Sequence, residues 1–269
     1  MSTLETHYSA RDIEMRILAG IRAAGLNPEQ RLSPEELGAL DHFHTGGLNA
    51  SRELLEVAQI RAEDRVLDIG AGLAGSARLL ASAVGCHVDC IEMSRDYCAG
   101  AVLLNRLTGL EDRIAVHQGS ALDLPFPDDA FDVVWMQNVG MNIADKGQLY
   151  REIARVLKPG GRYAFQEMAA GEVATSYFPL PWAAGPADSF LVSSEEMCSV
   201  LGACGFITEL FEDTSDTHLS RTLANATPAV PGQLGLAVFV DNLAQKGGNA
   251  RRSLEENQVR LVRGVFRVK

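Results

Sequence analysis

Asp68, Gly70, Gly72, Gly75 and Glu92 are the residues whose types and spacing could do chemistry. The three glycines stand in G-x-G-x-x-G spacing after the apolar run Val66-Leu-Asp-Ile69. Such glycines let a backbone turn tightly, approach a ligand without Cβ hindrance and bring a helix against a strand. Alone, the spacing suits a dinucleotide, a nucleoside sulfonium or a turn with no ligand. Asp68 places negative charge near a helix N-terminus, which favours a ligand ammonium over a pyrophosphate. Glu92 ends a second apolar run, 22 residues past Gly70, where an acid can accept from both hydroxyls of a ribose. Further on, Gln118 to Trp135 reads as a strand end, a small-residue turn able to admit a flat base, a Pro-rich loop and a new strand at Phe131-Asp132.

These residues need a sheet edge to hold them, and the chain supplies one. Strands are predicted at 65–69, 87–92, 113–118, 131–136, 162–168, 206–212 and 258–268, and helices at 75–84, 95–107, 146–157 and 194–204. The alternation predicts an α/β fold, a doubly wound, mostly parallel seven-stranded sheet. Before it, residues 9–25 carry Ile13, Ile17 and Ile21 at helical spacing, Ser33-Pro-Glu-Glu36 reads as a helix start, and 49–60 as another helix. Asp145-Lys-Gly-Gln148 reads as a capping box, and Lys158-Pro-Gly-Gly161 as a breaker. Residues 169–192 form an insertion rich in Gly, Pro and aromatics, and 213–257 gives no clear pattern. One domain over 1–269 is expected: a helical cap at 1–60, a core at 61–168, then the lid insertion and the C-terminal part of the sheet.

Leu67-Asp-Ile-Gly-Ala-Gly, Glu92, Gly119-Ser-Ala-Leu-Asp-Leu-Pro-Phe, Phe131-Asp-Val-Val-Trp and Leu157-Lys-Pro-Gly-Gly together resemble class I S-adenosylmethionine-dependent methyltransferases. Phe43-His-Thr-Gly-Gly47, Tyr97 to Leu107, Met141-Asn-Ile-Ala-Asp145 and Phe178-Pro-Leu-Pro-Trp182 are similar to the small-molecule branch that includes sarcosine/dimethylglycine-type N-methyltransferases. The resemblance covers residues 40–212 and implies a Rossmann-like fold with S-adenosyl-L-methionine as cofactor. It places Asp68, Gly70 and Gly72 beside the methionine moiety, Glu92 on the ribose, and Met93, Ser120, Ala121 and Leu122 around the adenine. The family often has Gly at position 74, where this chain has Ala, and Asp at position 120, where it has Ser; the serine hydroxyl still accepts a hydrogen bond.

A sulfonium methyl is already activated, so such an enzyme chiefly aligns a nucleophile, excludes water and provides a modest proton acceptor. Candidates lie at strand carboxyl ends or in covering segments. Gln137, a cofactor-binding candidate, and Asn138 follow the fourth strand; Glu167 ends the fifth; His44, Phe178, Trp182 and His218 lie in segments expected to roof the acceptor. His44 and Glu167 are the catalytic candidates, and Asn138, Phe178, Trp182 and His218 the substrate candidates. Loop hydrogen bonding for His44, a solvated strand end for Glu167 and core packing for the aromatics are the bland readings.

Net charge −11 without a Lys/Arg block speaks against nucleic acid and an anionic membrane surface and leaves a small-molecule acceptor, an amine nitrogen before a hydroxyl or carbon. No stretch has the roughly 20 apolar residues of a membrane span, and residues 1–30 lack a signal-peptide core, so a cytoplasmic protein is expected. Five cysteines without a C-x-x-C pair fit reduced thiols, and His42-Phe-His44 lacks a third ligand of matching spacing, so no metal is expected. A methyltransferase-like fold without transfer and an NAD-dependent oxidoreductase remain open; the latter lacks a Tyr-x-x-x-Lys motif. The sequence sets no oligomeric state.

Overall fold

A computed structural model describes residues 12–224 and 234–269. The readings of residues 1–11 and of 225–233 in the tail lie outside the described residues. Seven strands form one sheet in the order β3-β2-β1-β4-β5-β7-β6, the doubly wound α/β arrangement the alternation predicts. The chain divides into two compact units, described over 12–121 with 234–241 and over 122–224 with 242–269.

In the first unit, α1 (Ile13–Ala23) buries Ile13, Ile17 and Ile21, one face at i, i+4 and i+8. α2 (Pro34–Asp41) opens with the expected capping box: Ser33 Oγ accepts from Glu36 N–H at 3.3 Å, and Ser33 N–H donates to Glu36 Oε2 at 2.7 Å. α3 (Gly47–Ala58) starts two residues earlier than its apolar pattern, because Gly46 and Gly47 both take positive φ and turn the chain straight into the helix. β1 (Arg65–Ile69), α4 (Gly75–Ala83), β2 (His87–Glu92), α5 (Arg95–Thr108) and β3 (Ile114–Gln118) follow as read. Ser94 caps α5 by accepting from Tyr97 N–H, and Gly109 at φ 64 ends it. The three strands are parallel, pairing Asp68 with Cys90 and Glu92 with Gln118.

The second unit holds β4 (Phe131–Gln137), α6 (Lys146–Val156), β5 (Leu157–Ala170), α7 (Ser194–Ala203), β6 (Phe206–Asp213), α8 (Ser215–Ala224), α9 (Leu243–Glu255) and β7 (Val259–Val268). β5 begins at Leu157, five residues before its expected start at 162. Pairing with β4 jumps from Phe131↔Leu157 to Val133↔Arg162, so the Pro-Gly-Gly stretch bulges out within the strand instead of breaking it. Half of the Asp145 capping box forms: Asp145 accepts from Gln148 N–H at 2.8 Å, while Gln148 Nε2 donates to the Leu122 carbonyl. β7 runs antiparallel between β5 and β6. The stretch without a pattern, 213–257, contributes α8 and α9. Among the described residues no helix is long and apolar enough to cross a membrane.

Candidate functional site

Because β1, β2 and β3 are parallel, the chain leaves all three on one edge, at Gly70, Met93 and Gly119. Gly70 (φ 67) and Gly72 (φ 56) take the left-handed conformation that the turn requires. Gly70 N–H and Ala71 N–H donate to the Ile91 carbonyl at 2.8 and 3.2 Å, folding the turn onto the end of β2. There Glu92 closes a clamp: Oε2 accepts from Gly72 N–H at 2.9 Å and Oε1 from Ser94 N–H at 2.8 Å. Each oxygen keeps capacity for a further donor, as a ribose diol would need. A Cβ built on Gly72 would meet nothing within 4 Å, so the turn opens onto free space. Met93 is half-buried, with its carbonyl accepting from Gln118 Nε2; Ser120 is exposed and Ala121 half-buried just past β3.

Asp68 is 3% exposed, and its Oδ2 is buried with no hydrogen-bond partner. Burial, and next the charge of Glu92, push its carboxyl up to about 8, against the pull of Ala77 N–H and Arg78. An unpaired buried carboxylate oxygen beside an open glycine turn fits the ammonium of an amino acid moiety. The residues present therefore fit S-adenosylmethionine. Ala74 adopts φ 61 while fully buried, so the departure from glycine sits in a conformation costing an L-residue about 1–2 kcal/mol.

His44 lies in the same unit, half-buried, at the centre of a polar cluster. Its Nε2 is 3.0 Å from Ser51 Oγ and 3.3 Å from His42 Nδ1, and Ser51 Oγ is 3.1 Å from His42 Nδ1 and 3.3 Å from Ser76 Oγ. Asp41 Oδ1 stands 3.6 Å from His42 Nε2, while its Oδ2 takes Arg78 Nη2 at 2.6 Å and Nε at 3.3 Å. Arg78 is fully buried and also donates to the Leu73 carbonyl and Asn105 Oδ1. Burial pulls both imidazoles down to about 3, helped by His42 in the case of His44 and by Arg78 for His42. Both rings are thus neutral hydrogen-bonding groups at physiological pH.

In the second unit, Gln137 Oε1 accepts from Trp135 Nε1–H at 3.0 Å, and Asn138 takes φ 53 with its Oδ1 accepting from Gln166 Nε2. Glu167 is 1% exposed; Oε1 accepts from Val139 N–H and Gly140 N–H at 2.9 and 3.0 Å, while Oε2 is buried without a partner. Burial pushes its carboxyl up to about 7 against those backbone donors and Lys146. Trp182 is buried in an apolar cluster with Met141, Met168, Leu180 and Leu261, its indole N–H on Ser189 Oγ, and Phe178 packs against that cluster. His218 is half-buried on α8, and burial pulls it below its ordinary value. Leu122, just past the turn at 120–121, offers its carbonyl to Gln148.

Sequence reasoning missed Asp41, Ser51, Ser76, Arg78 and Lys146. Arg78 carried a signal, a lone cation inside the otherwise small and apolar helix Gly75–Ala83. Lys146 carried none; its buried ammonium donates to the carbonyls of Gly140, Ile143 and Phe190. Among the described residues no group of three His, Cys, Asp or Glu could hold a metal ion.

Residues 67–165 match the family described as Methyltransferase domain. The chain is 43% identical over 115 residues to glycine/sarcosine/dimethylglycine N-methyltransferase of Actinopolyspora halophila, covering 43% of this chain and 20% of that protein. To sarcosine/dimethylglycine N-methyltransferase of Aphanothece halophytica it is 38% identical over 140 residues, 47% of this chain and 50% of that one. The chain thus spans half or less of the length of these relatives. In fold it matches phosphoethanolamine N-methyltransferase 2 of Haemonchus contortus in complex with S-adenosyl-L-methionine, with TM-score 0.68, 20% identity and coverage of 93% of this chain and 59% of that one. The chain therefore carries a methyltransferase domain over residues 67–165, in the fold of the class I S-adenosylmethionine-dependent methyltransferases.

Proposed function

We propose that this chain transfers the methyl group of S-adenosylmethionine to a small-molecule amine. The observation that carries the reading is the pair of acids at the glycine turn: Glu92 clamped by Gly72 and Ser94, and Asp68 with one buried oxygen left for a cation. Asp68, Gly70 and Gly72 would hold the methionine end, Glu92 the ribose hydroxyls, and Met93, Ser120 and Ala121 the adenine. When bound, S-adenosylmethionine supplies a methyl already activated on sulfonium. What remains for the protein is to orient the acceptor and exclude water. Of the two catalytic candidates, each in its own unit, His44 is a neutral hydrogen-bonding group, and Glu167 has a buried Oε2 without a partner that suits a cationic group. Support for an amine comes from the two N-methyltransferase relatives, the net charge of −11 and Glu167. The apolar cluster around Trp182 favours a second reading, an O- or C-methyl acceptor with an apolar body. A cytoplasmic location rests on the free, unpaired cysteines and is checked by cell fractionation.

Calorimetry with S-adenosylmethionine tests the cofactor assignment. Glu92→Ala should weaken binding by roughly 1.5–3 kcal/mol, since a charged acceptor for two hydroxyls is lost. Unchanged affinity in a folded variant sinks the assignment.

A further inference from the structure

We propose that Arg78 is a positioning residue for the cofactor turn: braced by Asp41 and Asn105, its guanidinium holds the Leu73 carbonyl and so keeps Ala74 left-handed, in the shape that takes S-adenosylmethionine; the last clause rests on the methyltransferase reading above. Leu73 and Ala74 share one peptide group at the end of the glycine turn, and both of its ends are tied. The Ala74 N–H donates to the Ala71 carbonyl at 2.7 Å, and the Leu73 carbonyl accepts from Arg78 Nη2 at 2.6 Å. With α4 seated against α2 at Gly75, Ala74 could leave φ 61 only by rotating that peptide plane, which would break both bonds. A side chain is strained at this φ, where glycine would be free. A hydrogen bond from a charged donor is roughly twice as strong as a neutral one, so Arg78 supplies the larger share of the hold.

Arg78 reaches this carbonyl because helical side chains lean towards the helix N-terminus, and it stands one turn into α4, its own N–H on the Ala74 carbonyl at 3.0 Å. An arginine keeps its charge in any interior, so burying the guanidinium completely demands acceptors from elsewhere. They come from two other elements. Asp41 Oδ2, at the end of α2, takes Nη2 at 2.6 Å and Nε at 3.3 Å, and Asn105 Oδ1 on α5 takes Nη1 at 2.7 Å. A lysine ammonium could carry the charge but not span Asp41, Asn105 and Leu73 as a planar fork does. The fork therefore joins the helical cap to the turn, where Gly72, one residue before Leu73, gives the N–H that Glu92 clamps at 2.9 Å. Fully buried, Arg78 contributes turn shape and not ligand contact.

The test is a cycle of Arg78→Lys with Ala74→Gly in the full chain, read in two ways. Without cofactor, Ala74→Gly should raise the Tm by differential scanning fluorimetry while Arg78 imposes the left-handed conformation. In the Arg78→Lys background, where Ala74 is free to relax, the same change should leave the Tm unchanged or lower it. By calorimetry, Arg78→Lys should weaken S-adenosylmethionine binding roughly tenfold, and adding Ala74→Gly should recover at least about threefold, since glycine takes the turn without the clamp. In the native background Ala74→Gly should change affinity less than about twofold. An arginine that only supports the fold would show no such rescue. Native affinity in Arg78→Lys, or equal effects of Ala74→Gly in both backgrounds in either measurement, overturns the proposal. If Arg78→Lys does not fold, Arg78→Met with Asp41→Asn removes the donor without stranding a buried charge and takes its place in the cycle. A native protein that does not bind S-adenosylmethionine defeats the methyltransferase reading, and the Tm cycle still decides the clamp.

Discussion

At Asp68 and Glu167 burial raises the carboxyl pKa, to about 8 and about 7, and each makes a prediction whose sign follows from burial. Asp68, at about 8 in the free protein, must ionise when a ligand ammonium reaches its unpaired oxygen. Calorimetry at pH 7 in two buffers of different ionisation enthalpy should therefore show proton release on S-adenosylmethionine binding, fading above pH 8. No release at pH 7 would separate Asp68 from the cationic group. Glu167 rises from 4.5 to about 7, so the native state holds its proton through a window in which the unfolded chain has lost it. Its contribution to stability is whole below pH 4.5 and is lost as pH rises to about 7, a difference on the order of 3 kcal/mol. Glu167→Gln mimics the protonated acid while keeping an acceptor for Val139 and Gly140. Denaturant titrations should find the two proteins equally stable at pH 4.5 and the variant more stable at pH 7.5; a constant difference would mean that Glu167 does not titrate there.

Among the elements, α4 meets the end of α2 in a close backbone contact next to the glycine turn. A Cβ built on Gly75 would run into the Asp41 carbonyl oxygen, which is backbone and cannot rotate away. Gly75 thus serves close helix approach and not a left-handed turn, unlike Gly70 and Gly72. Gly75→Ala should cost about 1–3 kcal/mol and lower the Tm by several degrees by differential scanning fluorimetry. An unchanged Tm would show that the helices separate without strain. The 3-10 turn Gly140–Asn142 is held from both ends by buried polar side chains, Glu167 on the N–H groups of Val139 and Gly140 and Lys146 on the carbonyls of Gly140 and Ile143. That device joins residues 27 apart in sequence and has no local pattern.

For the molecule as a whole, charge and relatives favour a cationic acceptor. Screening small amines against phenols and apolar acids by S-adenosylhomocysteine release should give turnover with the amines; turnover confined to the second set defeats the amine reading. Sequence alone determined the elements whose signals are local: the glycine turn, the Ser33 cap, the βαβ rhythm and the closing strand are each written within a few residues, by period, cap or breaker. It did not determine α8 and α9. α9 carries Gly247 and Gly248 and few apolar residues, and it is settled by Ser253 and Leu254 being buried, Ala250 packing on the Trp182 cluster and Asn249 donating to Pro179. Nor could it show the His44 cluster, since Asp41, Ser51, Ser76 and Arg78 come from three helices and meet only when α2, α3 and α4 pack. Periodicity fixes which face of an element is buried; which polar groups are then sealed together, and so which carboxyls rise and which imidazoles stay neutral, is a property of desolvation and distance that only the tertiary structure sets.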